Sequence, residues 1–169
     1  MPKGLARANE EFMRPRSVAA RLPNAWLPGA DWADCHELLF IGERVSALEA
    51  ASRTLGSAPR WVRTLLGLRN RLTSPLGLKA TAPAADSGLV GAFPIVRGGE
   101  HETVLGFDDR HLDFRIIVEV RDGPAESQVI GITTLVRRRN LFGYLYLAAV
   151  TPFHKAIVPA LLAELNARR

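Results

Sequence analysis

The chain has 169 residues, 47% of them hydrophobic, and a formal charge of +5. That is enough apolar material for one domain without metal or disulfide staples, and the single cysteine, Cys35, excludes an intramolecular disulfide and a multi-cysteine metal site. The whole charge excess falls in residues 1–85, with no basic stripe interleaved with aromatics of the kind that stacks bases, so nucleic acid is not an expected partner.

In chain order, residues 1–30 read as an extended arm. The prolines of "RPRS" and "LPNAWLPGADW" prevent a long helix, and Trp26 and Trp32 are its anchors on the domain. The opening "MPKGLARANEEFMRPRS" has no continuous apolar run and carries Glu10 and Glu11, so no secretory leader is expected and the cytoplasm is the default location. Residues 31–169 form the single domain. Its first strand is expected in "DWADCHELLFI", Asp31 to Ile41, closed by Gly42. In "ERVSALEAASRTLG", Val45, Leu48 and Ala51 or Leu55 recur at helical spacing before the stop at Gly56. A second helix is expected in "SAPRWVRTLLGLRNRLT", with Ser57 as cap and Trp61, Leu65, Leu68 and Leu72 as its apolar stripe. A Pro/Ala/Gly-rich loop follows.

Four β segments come next, at Leu89–Val96, Glu102–Phe107, His111–Arg121 and Ser127–Arg138, separated by turn sequences "RGGEH", "DDR" and "RDGPAE". This is an antiparallel meander. From Asn140 the spacing becomes helical, through Leu141, Leu145 and Ala148, then Phe153, Ile157, Leu161 and Leu165, with Pro152 bending or breaking the helix between them. The run is apolar, but Pro152, His154, Lys155 and Pro159 interrupt it, so no transmembrane span is expected. The elements add up to an α+β fold: a curved antiparallel sheet gripping a long C-terminal helix, with two short helices after the first strand.

The blocks "APRWVRTLLGLRNRL", "LGFDDRHLDFRIIVEV" and "TTLVRRRNLFGYLYLAAVTPFHKAIV" resemble a bacterial family of unknown function. That domain occurs alone and also appended to epimerase-like short-chain dehydrogenase chains. The family is similar to the START-like, helix-grip superfamily of polyketide cyclases and lipid carriers. The resemblance implies a sheet and C-terminal helix enclosing an apolar cavity, and supplies no catalytic residue to carry over.

The most distinctive stretch is "DDRHLDFRIIVEVRD". Read as a strand, it puts Leu112, Phe114, Ile116, Val118 and Val120 on one face and His111, Asp113, Arg115, Ile117 and Glu119 on the other. Two readings of His111, Asp113 and Arg115 stand: a solvated cross-strand charge network, or a cavity-mouth site in which Asp113 orients His111 as a general base and Arg115 holds a charge. His154 is either a ligand contact or a histidine tethering the helix end. His36 and His101 show no metal-ligand spacing, so neither metal nor cofactor is expected. The leading expectation is a binding domain for a small apolar or amphipathic ligand, with Phe114, Tyr144, Phe153 and His154 at the wall. The alternatives are a cyclase- or isomerase-like enzyme using His111, Asp113 and Arg115, and a partner or regulatory module; self-association is left open.

Overall fold

The computed structural model describes residues 14–56 and 88–167. The predicted second helix and the loop after it lie outside the described residues. Seven strands form one antiparallel sheet: β1 (Arg16–Val18), β2 (Trp32–Phe40), β3 (Leu89–Val90), β4 (Phe93–Arg97), β5 (Glu102–Asp108), β6 (Leu112–Asp122) and β7 (Gln128–Arg138). Their spatial order is β1-β2-β7-β6-β5-β4-β3. Two helices, α1 (Ala47–Leu55) and α2 (Leu141–Ala167), pack on its inner face. The architecture is therefore α+β, a curved open sheet around a long C-terminal helix.

Alternation within each strand divides the sheet into two apolar layers. On the inner face Leu38, Phe40, Leu105, Phe114, Ile116, Val118, Ile130 and Ile132 join α1 and α2 in the main core. On the outer face Val104, Ile117 and Leu135 form a smaller core, closed by Leu27 and by Trp26 and Ala30. Residues before β2 thus cover a sheet face that would otherwise expose apolar side chains. Trp26 and Trp32 lie on opposite faces of the sheet. Cys35 is a free, buried thiol on β2 that accepts a hydrogen bond from Thr133 Oγ1 at 3.1 Å. Burial pushes its pKa up, keeping it a poor nucleophile.

Several predicted elements differ in detail. The expected strand Leu89–Val96 is two strands, because Gly91, at φ +60°, turns the chain so that Leu89 and Val90 pair with Pro94 and Phe93. A side chain at Gly91 would also meet Leu55 O at 2.6 Å. Helix α1 begins after Ser46, whose hydroxyl accepts from Glu49 N at 3.1 Å. It buries Ala47, Ala50, Ala51 and Thr54 rather than Leu48, which is exposed. Small residues on that side let the helix approach the sheet closely. Val45, just ahead of it, donates its N–H to Gln128 Oε1 and its C=O accepts from Gln128 Nε2, at 2.9 and 3.1 Å, so one buried amide satisfies both backbone groups of the residue.

The largest difference concerns α2. It runs unbroken through Pro152 and Pro159, and by length and composition it could cross a membrane, with 22% of its most apolar window buried. The predicted stripe through Leu141, Leu145 and Ala148 points outward. Gly143 and Leu147 face inward there instead; in the second half Leu161 and Leu165 are buried as expected, beside Val158 and Leu162, while Phe153 is exposed. With apolar residues on all sides, hydropathy carries no information about which side turns in. Contacts at the helix start decide it. Asn140 Oδ1 accepts from Gly143 N at 3.2 Å while its Nδ2 donates to Arg110 O at 3.2 Å, which ties the first turn to the β5–β6 hairpin.

Candidate functional site

An apolar space of about 190 Å³ lies between the inner face of the sheet and α2. Trp32 on β2, Phe114 and Ile116 on β6, Ile132 on β7, and Leu147 and Ile157 on α2 line it, with Phe93 at one side. Phe93 and Phe114 meet edge to face, their centroids 5.9 Å apart. The polar exceptions on the wall are Thr134, Tyr146 and His154.

His154 is the end of a buried cluster. Its Nε2 lies 3.1 Å from Asp34 Oδ2, and the same oxygen lies 3.2 Å from His36 Nδ1. Register explains the meeting: Trp32, Asp34 and His36 alternate along the inner face of β2, and Asp34 is opposite Thr134 on β7. Trp32 packs its ring edgewise on His154 at 5.4 Å. A carboxylate only accepts, so Nε2 of His154 carries the hydrogen that it donates to Asp34, and Nδ1 is left as the basic nitrogen of the neutral ring. His36 Nδ1 is close to the carboxylate but not aligned for a hydrogen bond and has no other partner.

Burial lowers the His154 pKa and outweighs the opposing pull of Asp34, so the ring stays neutral below the ordinary imidazole range. In an unfolded chain a histidine titrates near about 6.5. Between that value and the lower folded pKa the unfolded state binds the extra proton, so stability falls on acidification. The expected result is a drop in urea midpoint for the wild type from pH 7.5 to 5.5, smaller in His154→Gln. Equal drops in the two proteins would contradict it.

His111, just before β6, and Asp113 and Arg115 on it do not converge. Asp113 is fully buried on the outer face, 2.6 Å from Arg137 Nη2 and 2.9 Å from Arg139 Nη2. Its burial raises its proton affinity, but the hydrogen bonds and charges of Arg139 and Arg137 more than offset this and hold the carboxyl below its usual range. Arg115 pairs instead with Asp108, at 2.8 Å. His111 accepts at Nδ1 from Asn140 Nδ2, 2.9 Å away, and packs on Phe142. None of the three is among the residues lining the apolar space. Asp113 receives Arg137 of β7 and Arg139 just past its end, and His111 braces the start of α2.

Of the expected wall residues, Phe114 and His154 line the space. Tyr144 and Phe153 do not; both are exposed. Tyr144 lies under the Arg138 guanidinium, 4.1 Å from its ring centroid, and that arginine is held by Asp31 at 2.9 Å. Tyr146, two residues on, takes the position on the wall. Asp34 escaped sequence reading because its signal is not local: it sits 120 positions before His154. The alternation of Trp32, Asp34 and His36 along a predicted strand was the available clue.

A family model described as a protein of unknown function, DUF2867, matches residues 26–161. The chain belongs to that family. The match takes in β2 to β7 and α2 as far as Leu161, and so every residue of the Asp34, His36 and His154 cluster. No curated protein and no solved structure matches the chain. Among the described residues no group of His, Cys, Asp or Glu side chains is arranged to hold a metal ion.

Proposed function

We propose that this DUF2867 domain binds a small, largely apolar molecule between the inner face of the sheet and α2, as helix-grip domains of START-like type do. The observation that carries the reading is the apolar space of about 190 Å³ with polar groups confined to a few positions on its wall. A cavity of about 150 Å³ lined by aliphatic and aromatic side chains takes benzene, so this one suits a molecule of one or two rings. Apolar walls supply affinity, and a few placed polar groups supply orientation. Thr134 and His154 are the orienting groups in this reading, with Phe114 and Trp32 as walls.

Two measurements test it. Native mass spectrometry of the purified protein is expected to show a copurified small molecule or uptake of added 7-methoxycoumarin. Ile157→Trp, which places an indole into the space from a half-buried position on α2, is expected to abolish uptake while leaving the circular dichroism spectrum unchanged. Uptake undiminished in Ile157→Trp would place the binding elsewhere and overturn the reading.

A further inference from the structure

Asp113, fully buried, and Asp34, whose side chain is 11% exposed, are carboxylates of opposite design. Asp113 is neutralised by two arginines, whose charge is permanent. Asp34 Oδ2 accepts a hydrogen bond from His154 and lies 3.2 Å from His36 Nδ1, and among the described residues no lysine or arginine pairs with it. A buried carboxylate without a permanent cation gains most when a neighbour takes up a proton. The neighbour facing the apolar space is His154, whose Nε2–H already points at Asp34 and whose basic nitrogen is Nδ1.

Resting on the binding site proposed above, we infer that the Asp34–His154 pair accepts the proton of a weakly acidic hydroxyl on the ligand. The ligand class is then an apolar ring system bearing one phenolic or enolic hydroxyl, held as its oxyanion. In the transfer the ligand O–H bond breaks and an N–H bond forms at His154 Nδ1, while Nε2–H stays on Asp34. No other reagent is consumed, and release reverses the step. Charge is conserved: a neutral ligand beside neutral His154 becomes an oxyanion beside an imidazolium, which Asp34 stabilises from behind as in other Asp–His pairs. Burial keeps His154 unprotonated before the ligand arrives but also disfavours the imidazolium, so the transfer depends on Asp34 stabilising that charge. Among the described residues the charged groups acting on the ring are Asp34 and His36 on β2 and Lys155 on α2 itself; Tyr146 of α2 and Thr134 of β7 share the wall with it. His36 Nδ1 approaches the same carboxylate oxygen, at 3.2 Å.

The test uses 7-hydroxycoumarin, whose anion absorbs to the red of its neutral form, beside 7-methoxycoumarin, which has no proton to give. With the intact wild-type protein, the bound hydroxy dye is expected to titrate about one pH unit or more below the free dye, a tenfold preference for the anion. The methoxy dye is expected to bind without a spectral shift and about tenfold more weakly. In Asp34→Asn and His154→Gln the red-shifted band is expected to vanish, with circular dichroism spectra showing that the variants are folded. The wild-type titration stands even if a variant fails to fold. Equal binding of both dyes with no red shift overturns the proton transfer and leaves the binding site standing. Binding of neither dye overturns both.

Discussion

Replacing Asp113 with alanine is expected to lower stability by about 3 kcal/mol, or roughly 6 to 12 °C in melting temperature. The carboxylate is fully buried, and its removal leaves Arg137 and Arg139 facing each other across the end of the sheet with no anion between them. Both arginines keep contact with water, their side chains 37% and 45% exposed, which holds the cost at the lower end for a broken buried pair. The same carboxyl sets an acid limit. Because Asp113 titrates lower in the folded chain than in the unfolded one, its contribution is complete above about pH 4 and is lost as the pH falls through the folded value. Thermal melts from pH 7 to pH 3 check both points: Asp113→Asn is expected to start lower and to fall less steeply in acid. If the effects of Asp113→Ala were below about 0.5 kcal/mol, the arginines would be making no net contribution through this residue.

Gly143→Ala is expected to cost about 2 kcal/mol, although alanine is the better helix former by about 1 kcal/mol. A Cβ at Gly143 would lie 2.2 Å from the His111 carbonyl oxygen, and backbone on that side has no flexible tip to move away. Helix α2 must then lift from the β5–β6 hairpin, which disturbs the Asn140 cap. It also moves Tyr146 and Leu147, at the same end of the helix, away from the sheet. Gly143→Ala is therefore expected to weaken uptake of 7-methoxycoumarin as well as to lower the melting temperature. A variant more stable than wild type would show that the helix start is free to shift.

The legibility of this protein followed the range of its interactions. In β6, period-two alternation identified Leu112, Phe114, Ile116, Val118 and Val120 as the core-facing set, and that is the face packed against the helices. Alternation could not tell that the opposite face is itself half covered, by Leu27 and Trp26, nor that Asp113 would be buried there. Helix α2 was legible as a helix, and Leu161 and Leu165 in its second half turn inward as their spacing suggested, but the phase of its first half was not legible, because Leu141 and Leu145 are as apolar as Leu147. The local contacts of Gly143 and Asn140 settle that phase, and such contacts leave no hydropathy signal. The candidate site was half legible. His154 stood out as a polar residue in an apolar run, whereas its partner Asp34 is brought to it only when β2 joins the sheet beside β7. His111, Asp113 and Arg115 stood out as a group because they are neighbours in sequence, but their side chains go to three different partners.

The pairing of β2 with β7 also has a consequence for how the chain assembles. Strands β4 to β7 connect to one another by short turns, so that part of the sheet can zip up from local hairpins as it leaves the ribosome. Strand β2 has to wait for its main partner, Trp32 pairing with Val136 and Phe40 with Gln128. Until the last strand is made, β2 has only the three-residue β1 beside it, and pairing it with β7 requires the longest loop closure in the sheet. The candidate site is completed at the seam that closes last: Asp34 and His36 arrive with β2, Thr134 with β7, and His154 with the helix that follows. An incompletely folded chain could therefore carry a well-formed β4–β7 meander and yet lack the site altogether.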